Sequence, residues 1–279
     1  NESSLASVHF VAHPPKDAEI PDIDMQELER ALSEASRSWR EDFVSAVIAE
    51  HGEEDGARLG RAWADAFPEA FKEDFDVTMA SADLGRIEAI TGDEGIDLAV
   101  FDQDEPGRGQ ARLKVFRVGS PLSLSVVLPM LTSMGVEVID ERPYELEGLS
   151  RETHIYEFGL NYGGQLPTDA KRLFAEALRA VWDGHSETDG FNRLVLAAEL
   201  TWRQASVLRA YAKYMRQGNS PFALDYIHGA LRENVDITRL LIDLFEARFQ
   251  PGRDNLAADA EARVARVEVI EDKLTKALD

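Results

Sequence analysis

Few residues in this chain have the types and spacing that chemistry requires. Gly107-Arg108-Gly109 is a G-x-G, but it falls between two predicted strands and lacks the third glycine and the helix that hold a dinucleotide diphosphate. The 6 histidines include no H-E-x-x-H pair, and no serine stands in a G-x-S-x-G elbow. With 0 cysteines, thiolate catalysis and thiolate zinc sites are excluded. We therefore predict no catalytic, cofactor-binding or metal-ligating residue.

One turn stays a candidate effector or interface loop. Gly119, Ser120 and Pro121 join a predicted strand, Arg112–Val118, to a predicted helix that begins near Leu124. A glycine at this point lets a ligand approach the backbone amides, and a carboxylate suits the start of a helix. The alternative is that Gly119 is only a turn glycine, and the residues taken alone favour that interpretation.

The charge balance limits the partners of the protein. The 279 residues include 30 Lys and Arg against 52 Asp and Glu, a formal charge of −22. Such a surface repels phosphate backbones and anionic lipid, so we expect no nucleic-acid and no membrane partner. No apolar run is long enough to span a bilayer, and the lack of cysteine fits a reducing cytoplasm. We therefore expect a cytoplasmic protein. Because the chain begins with Asn1 and not with Met, we also expect it to be a piece of a longer polypeptide.

The elements that must position the Gly119 turn divide the chain into three predicted regions. Residues 1–92 read as a short strand, Leu5–His13, followed by helices. Residues 93–186 form an α+β domain, and residues 187–279 return to helices. In the first region the apolar period indicates one helix from an Asp24 cap to Gly52.

Strands and helices alternate in the middle region as β-β-α-β-β-α. The short β-β connections favour antiparallel pairing, which predicts an α+β sandwich of ferredoxin-like type rather than a doubly wound parallel sheet. Pro143 is expected in the connection between the third and fourth strands. The predicted elements are Ile96–Phe101, Arg112–Val118, the helix Leu124–Met134, Val136–Ile139, His154–Phe158 and the helix Thr168–Trp182.

The last region is predicted to contain a long helix, Phe191–Met215, and a charged terminal helix, Asn255–Leu278. The long helix carries a basic edge within an acidic protein. This edge is either a docking surface for an acidic element or ordinary helix solvation, and solvation is the more general explanation. Its members are Arg193, Arg203, Arg209, Lys213 and Arg216.

Several stretches resemble the large bacterial NAD-specific glutamate dehydrogenases, in the order found in that family. The longest is LKVFRVGSPLSLSVVLPMLTSMGVEVIDERPYEL, Leu113–Leu146, followed by HIYEFGL, His154–Leu160. The others are WREDF, Trp39–Phe43; DAFPEAFKEDF, Asp65–Phe75; and WRQASVLRAYAKYMRQ, Trp202–Gln217. The likeness covers nearly the whole chain.

The resemblance implies an internal segment upstream of the catalytic core. Family members oxidise L-glutamate with NAD, and their N-terminal regions contain ACT-like modules, a type that binds amino acids at module interfaces. The middle region would then be a ferredoxin-like/ACT-like β-α-β-β-α sandwich. Such a module closes with a strand after its second helix. None is predicted after Trp182, so Ile96–Phe101 or the N-terminal strand is expected to take its place.

The resemblance transfers no catalytic residue, because the dinucleotide fingerprint of the catalytic core is absent. It implies a non-catalytic regulatory or oligomerisation segment, inactive alone, with NAD bound elsewhere in the parent enzyme. The expected partners are the rest of that enzyme, other subunits and an amino-acid effector. The alternative is a purely structural interaction module with no ligand site.

Overall fold

The computed structural model describes residues 38–102, 110–163, 169–250 and 256–278, together with Gln26. The predicted strand Leu5–His13, the Asp24 cap and the Gly107-Arg108-Gly109 loop lie outside these ranges. Within them, no helix combines the length and the apolar composition needed to cross a membrane.

The described helices ahead of the sheet begin and end where local chemistry sets their caps. The Ser38 hydroxyl accepts a hydrogen bond from the Glu41 amide, and the Glu41 carboxylate accepts one from the Ser38 amide, which is a capping box. Ser38 is extended, so the prediction of one unbroken helix ending at Gly52 is wrong; a helix starts at Trp39. The helices are α1 (Trp39–His51), α2 (Glu53–Trp63), α3 (Glu69–Asp74) and α4 (Val77–Glu88).

The middle of the chain forms a four-stranded sheet of order β1-β2-β4-β3, with every neighbouring pair antiparallel. β1 fills the edge position beside β2, so of the two predicted alternatives Ile96–Phe101 takes this position. The α+β, ferredoxin-like/ACT-like prediction is confirmed. The elements are β1 (Gly95–Asp102), β2 (Gln110–Val118), α5 (Leu124–Ser133), β3 (Glu137–Leu146), β4 (Thr153–Asn161) and α6 (Ala170–Trp182).

β3 is longer than predicted and contains Pro143, which was wrongly expected in a connection. Proline lacks the N–H that a central strand donates, but β3 lies at an edge of the sheet, where this donor is not needed. The register also shifts between Val138 and Asp140, and Ile139 at this bulge is 53% exposed.

Helices cover both faces of the sheet, because alternate strand residues point to opposite sides. On one face Leu113 and Phe158 pack in a core with Leu131 of α5 and Phe174 of α6. The other face is lined by Phe116, Val118 and Ile155, which pack against α1–α4 through residues such as Phe43, Phe71 and Leu84. The N-terminal helices therefore add a third layer to the sandwich formed by the sheet with α5 and α6.

The predicted long helix Phe191–Met215 is wrong. Glu199 has φ +54°, and Thr201 forms a capping box with Gln204, so a new helix begins at Trp202. The terminal helix packs on its neighbour through a core shared by Ala247, Ile270 and Leu274. The elements are a 3-10 turn (Gly190–Arg193), α7 (Leu194–Ala197), α8 (Trp202–Gln217), α9 (Leu224–Glu233), α10 (Val235–Phe249) and α11 (Leu256–Leu278).

Candidate functional site

The Gly119 turn lies at the end of β2, where its backbone is already engaged. The Gly119 amide donates to the Glu152 carbonyl at 2.9 Å. Its φ of +96° favours glycine, and an added Cβ would lie 2.8 Å from Cγ of Glu94 and 3.0 Å from the carbonyl oxygen of Asp93. The glycine thus permits a tight turn against the segment that leads into β1.

Acidic and polar neighbours surround the rest of this turn. The Ser120 hydroxyl donates to the Glu94 carboxylate at 3.1 Å, and the Ser120 carbonyl accepts from Nε of Arg117 at 2.9 Å. The Leu122 amide donates to the Tyr156 hydroxyl at 3.0 Å, and Pro121 is exposed. The turn therefore offers a ligand neither the Gly119 nor the Leu122 amide, and its role as an effector loop stays a prediction.

A buried ion pair joins the sheet to the N-terminal helices, and sequence reasoning missed it. Nζ of Lys114 on β2 lies 2.7 Å from Oδ2 of Asp83 on α4, and the two side chains are 1% and 3% exposed. The ammonium also lies 3.6 Å from the ring centroid of Phe75. A lysine within the apolar run of β2 was the available signal, because a strand buried on both faces has no solvent to receive it.

Further charges extend this pair across the sheet. Glu157 is the cross-strand neighbour of Lys114 and is 6% exposed, and Nε of Arg112 lies 3.9 Å from its carboxylate. Arg112 also pairs with Asp140 on β3. Burial raises the pKa of the Asp83 carboxyl, and Lys114 opposes that rise. The network fixes the sheet against α4 rather than exposing a reactive group.

Side chains and backbone features protect both edges of the sheet. At β1 the Ile96 carbonyl accepts from Arg179 of α6 at 2.7 Å, and the Leu98 carbonyl accepts from Arg86 of α4 at 3.4 Å. At β3 Pro143 and the bulge near Val138 interrupt the edge. Such devices discourage pairing with another strand. Extension of this sheet across a subunit boundary is therefore disfavoured.

A cleft of about 410 Å³ opens at the end of the sheet opposite the Gly119 turn. Its walls include Glu137 at the start of β3, Tyr162 just after β4, Arg193 of the 3-10 turn and Arg232 of α9. Nε of Arg193 is buried and has no hydrogen-bond partner among the residues that the structure describes. Burial raises the pKa of Tyr162, against the nearby positive charge of Arg232.

Most side chains of the basic edge predicted for residues 193–216 have partners within the chain, and Arg203 stacks on the Trp202 ring. Arg209 is 4% exposed and donates to the Asp189 carboxylate at 2.7 and 2.9 Å. Lys213 pairs with Glu187, and Arg216 donates to the Ser220 carbonyl. These partners all lie within residues 187–220, whereas Arg193 lines the cleft.

Three sequence models of one family match successive parts of the chain. Residues 46–90 match glutamate dehydrogenase, helical motif 2; residues 95–173 match glutamate dehydrogenase, ACT3 domain; and residues 186–251 match glutamate dehydrogenase, helical motif 3. The chain belongs to the glutamate dehydrogenase family. The predicted resemblance is thereby confirmed.

Individual relatives agree with this assignment. The chain is 35% identical over 280 residues to the NAD-specific glutamate dehydrogenase of Halomonas elongata, covering 98% of the chain and 17% of the relative. It is 37% identical over 298 residues to that of Mycobacterium tuberculosis, covering 98% and 18%, and 35% identical over 272 residues to that of Pseudomonas aeruginosa, covering 96% and 17%. The chain thus spans less than a fifth of these glutamate dehydrogenases.

The ranges of the matched domains show which domains the contacts described above join. The ion pair of Lys114 and Asp83 joins the ACT3 domain to helical motif 2. The cleft with Arg193 and Arg232 lies between the ACT3 domain and helical motif 3. Each helical motif therefore has its own specific contact with the same sheet.

Proposed function

We propose that this chain is a non-catalytic regulatory and assembly segment of an NAD-dependent glutamate dehydrogenase. The parent reaction converts L-glutamate and NAD to 2-oxoglutarate, ammonia and NADH on parts of the polypeptide outside this chain. The observation that carries the proposal is the covering of the ACT3 sheet on both faces, with a buried ion pair on one of them. Contiguous packing of this kind can pass a local change at one helical layer to the other.

The strand-to-helix turn at Gly119 does not fit the diphosphate of NAD. Diphosphate binding requires free backbone amides at a helix start and no competing negative charge. The Gly119 amide is donated to a carbonyl, and the Glu94 carboxylate lies beside Ser120. This supports binding of NAD elsewhere in the parent enzyme.

The helices of motif 3 supply the surface that supports assembly. Because the sheet edges are blocked, contacts with other subunits or with the rest of the enzyme are expected through helices. Large apolar side chains stand exposed on α8 and α9 and on the segment between them, among them Tyr214 at 72%, Tyr226 at 62% and Phe222 at 48%. Exposed aromatic residues are typical of protein interfaces.

A second function, a purely structural module without a ligand site, is favoured by one observation. The Gly119 turn predicted to meet an effector has its glycine amide occupied within the chain. The two functions differ in whether an effector changes the kinetics of the parent enzyme, since allostery requires two states with different ligand affinity.

The experiment uses the 279-residue chain with the full-length dehydrogenase that carries it. The chain alone, given L-glutamate and NAD, is expected to form no NADH. Added in excess to the full-length enzyme during refolding, it should compete for intersubunit contacts and lower the assembled mass measured by light scattering. A chain carrying Tyr214→Ser and Tyr226→Ser is the matched control and should compete less. Turnover by the chain alone, or an unchanged mass with wild-type chain, would contradict the proposal.

A further inference from the structure

The cleft between the ACT3 domain and helical motif 3 is lined by positive charges that have no ion-pair partner in the part of the chain that the structure describes. The protein carries 52 acidic and 30 basic residues, so most guanidinium groups are expected to form an ion pair with a carboxylate. Yet neither Arg193 nor Arg232 has an ion pair among the described residues, and both line the same cleft. Arg209 and Lys213, on the neighbouring helix, are both paired.

Local packing holds Arg193 at the wall of the cleft. Its Cγ would lie 3.3 Å from a Cβ at Gly135, so the stem lies against a glycine that has no side chain to displace it. Nε is buried without a partner, while the side chain as a whole is only half-buried. A donor removed from water and left unpaired costs free energy, so the guanidinium lacks a compensating acceptor among the described residues.

Besides Thr132, two further lining residues carry polar groups that a ligand could meet. The Tyr162 hydroxyl is protonated at neutral pH, as an ordinary tyrosine is, and burial raises its pKa further, so it can donate a hydrogen bond. Glu137 is exposed, and within the described ranges its carboxylate accepts only a long hydrogen bond, 3.4 Å, from the Asn161 side chain. The cleft thus presents two cations and a neutral donor, with one carboxylate on its wall.

We propose that this cleft binds a small dicarboxylate, with Arg193 and Arg232 each taking one carboxylate and Tyr162 donating a hydrogen bond. Guanidinium groups match carboxylates in both charge and planar geometry. Glu137 adds a contact for an α-ammonium group, so an acidic amino acid binds more tightly than the same dicarboxylate without nitrogen. The site deepens the proposed function and rests on it for any regulatory effect, since the ligand bridges the ACT3 domain and helical motif 3.

The test is isothermal calorimetry of the 279-residue chain with succinate, L-glutamate and inorganic phosphate at one fixed ionic strength. Wild type is expected to bind succinate and L-glutamate saturably, with phosphate at least tenfold weaker. Arg193→Gln and Arg232→Gln should each weaken both ligands at least tenfold. Arg203→Gln is the matched control, because that guanidinium stacks on Trp202 outside the cleft. Circular dichroism and thermal unfolding confirm that each variant is folded.

The outcomes separate the two proposals. Absence of saturable heat for wild type, equal affinity in Arg193→Gln, or phosphate binding as tight as succinate overturns the site. Glu137→Gln should weaken L-glutamate and leave succinate unchanged, and an equal loss for both overturns the ammonium contact. Binding with no change in the kinetics of the full-length enzyme overturns the regulatory function and leaves the site intact.

Discussion

The ion pair between Lys114 and Asp83 provides a quantitative test of how the sheet is held to helical motif 2. Both side chains are almost fully buried, so removing one partner leaves a charge that neither water nor salt can screen. Asp83→Leu should therefore lower the free energy of unfolding by ~3–5 kcal/mol. Lys114→Met should cost ~3 kcal/mol at neutral pH by the same reasoning. The double variant replaces the pair with apolar groups and should lie within ~1 kcal/mol of wild type or be more stable.

The stability of the Lys114→Met variant should also depend on pH in a defined direction. Burial raises the pKa of Asp83, and Lys114 is the main group that lowers it, so Lys114→Met raises that pKa further. A raised carboxyl pKa stabilises the fold at low pH, and this contribution is lost as pH rises through the folded-state pKa. Lys114→Met should thus be less destabilising at about pH 5 than at about pH 8.

Urea unfolding followed by circular dichroism measures all four proteins of this cycle. The coupling free energy should be at least ~3 kcal/mol in favour of the pair. Single variants that each cost less than ~1 kcal/mol, or a double variant whose loss equals the sum of the singles, would refute the reasoning that the charges are buried and mutually dependent.

Three further predictions concern packing, pH and sheet edges. Gly56→Ala in α2 should lower the free energy of unfolding by ~1–3 kcal/mol, because the new Cβ would lie 2.5 Å from the backbone of α1. Gly85→Ala in α4 is the matched control: no atom lies within 4 Å of its Cβ, so it should raise that free energy by ~0.5–1 kcal/mol. Urea unfolding measures both. Burial raises the pKa of Tyr144 above its usual 10.0. Wild type should therefore be more stable than Tyr144→Phe by ~1 kcal/mol below that pH, and this difference should be lost as the pH rises above it. A difference that grows above pH 10.0 contradicts this. Arg86→Ala with Arg179→Ala should free two edge carbonyls of β1 and cause concentration-dependent association in sedimentation velocity.

The arrangement of the sheet was largely predictable, because its signals are local. The alternation over Arg112–Val118 predicted β2. The lack of a strand after Trp182 left the edge to Ile96–Phe101 or to the N-terminal strand, and the structure places Ile96–Phe101 there. Pro143 was misplaced because the tolerance of a strand for proline depends on its position in the sheet, which requires the strand order. The break at Glu199 was missed because a non-glycine residue with φ +54° carries no compositional signal.

The parts that bear on function were less predictable, since they depend on long-range packing. Asp83 meets Lys114 from 31 residues away, and its own helix gives no reason to distinguish it from a surface carboxylate. The cleft brings together Arg193 and Arg232 from separate elements. In the sequence Arg193 belonged to an apparent basic edge of one long helix. Only the break in that helix separates it from Arg209.

The proposed regulation of catalysis by this segment is tested most directly by the glutamate saturation curve of the full-length enzyme. Enzyme carrying Asp83→Leu, with the contact between ACT3 and helical motif 2 broken, should show a changed KM or cooperativity for glutamate with NAD binding unaltered. The double variant Asp83→Leu with Lys114→Met, which restores the packing, should return the curve toward wild type. Identical curves for wild type, single and double variants would contradict the account.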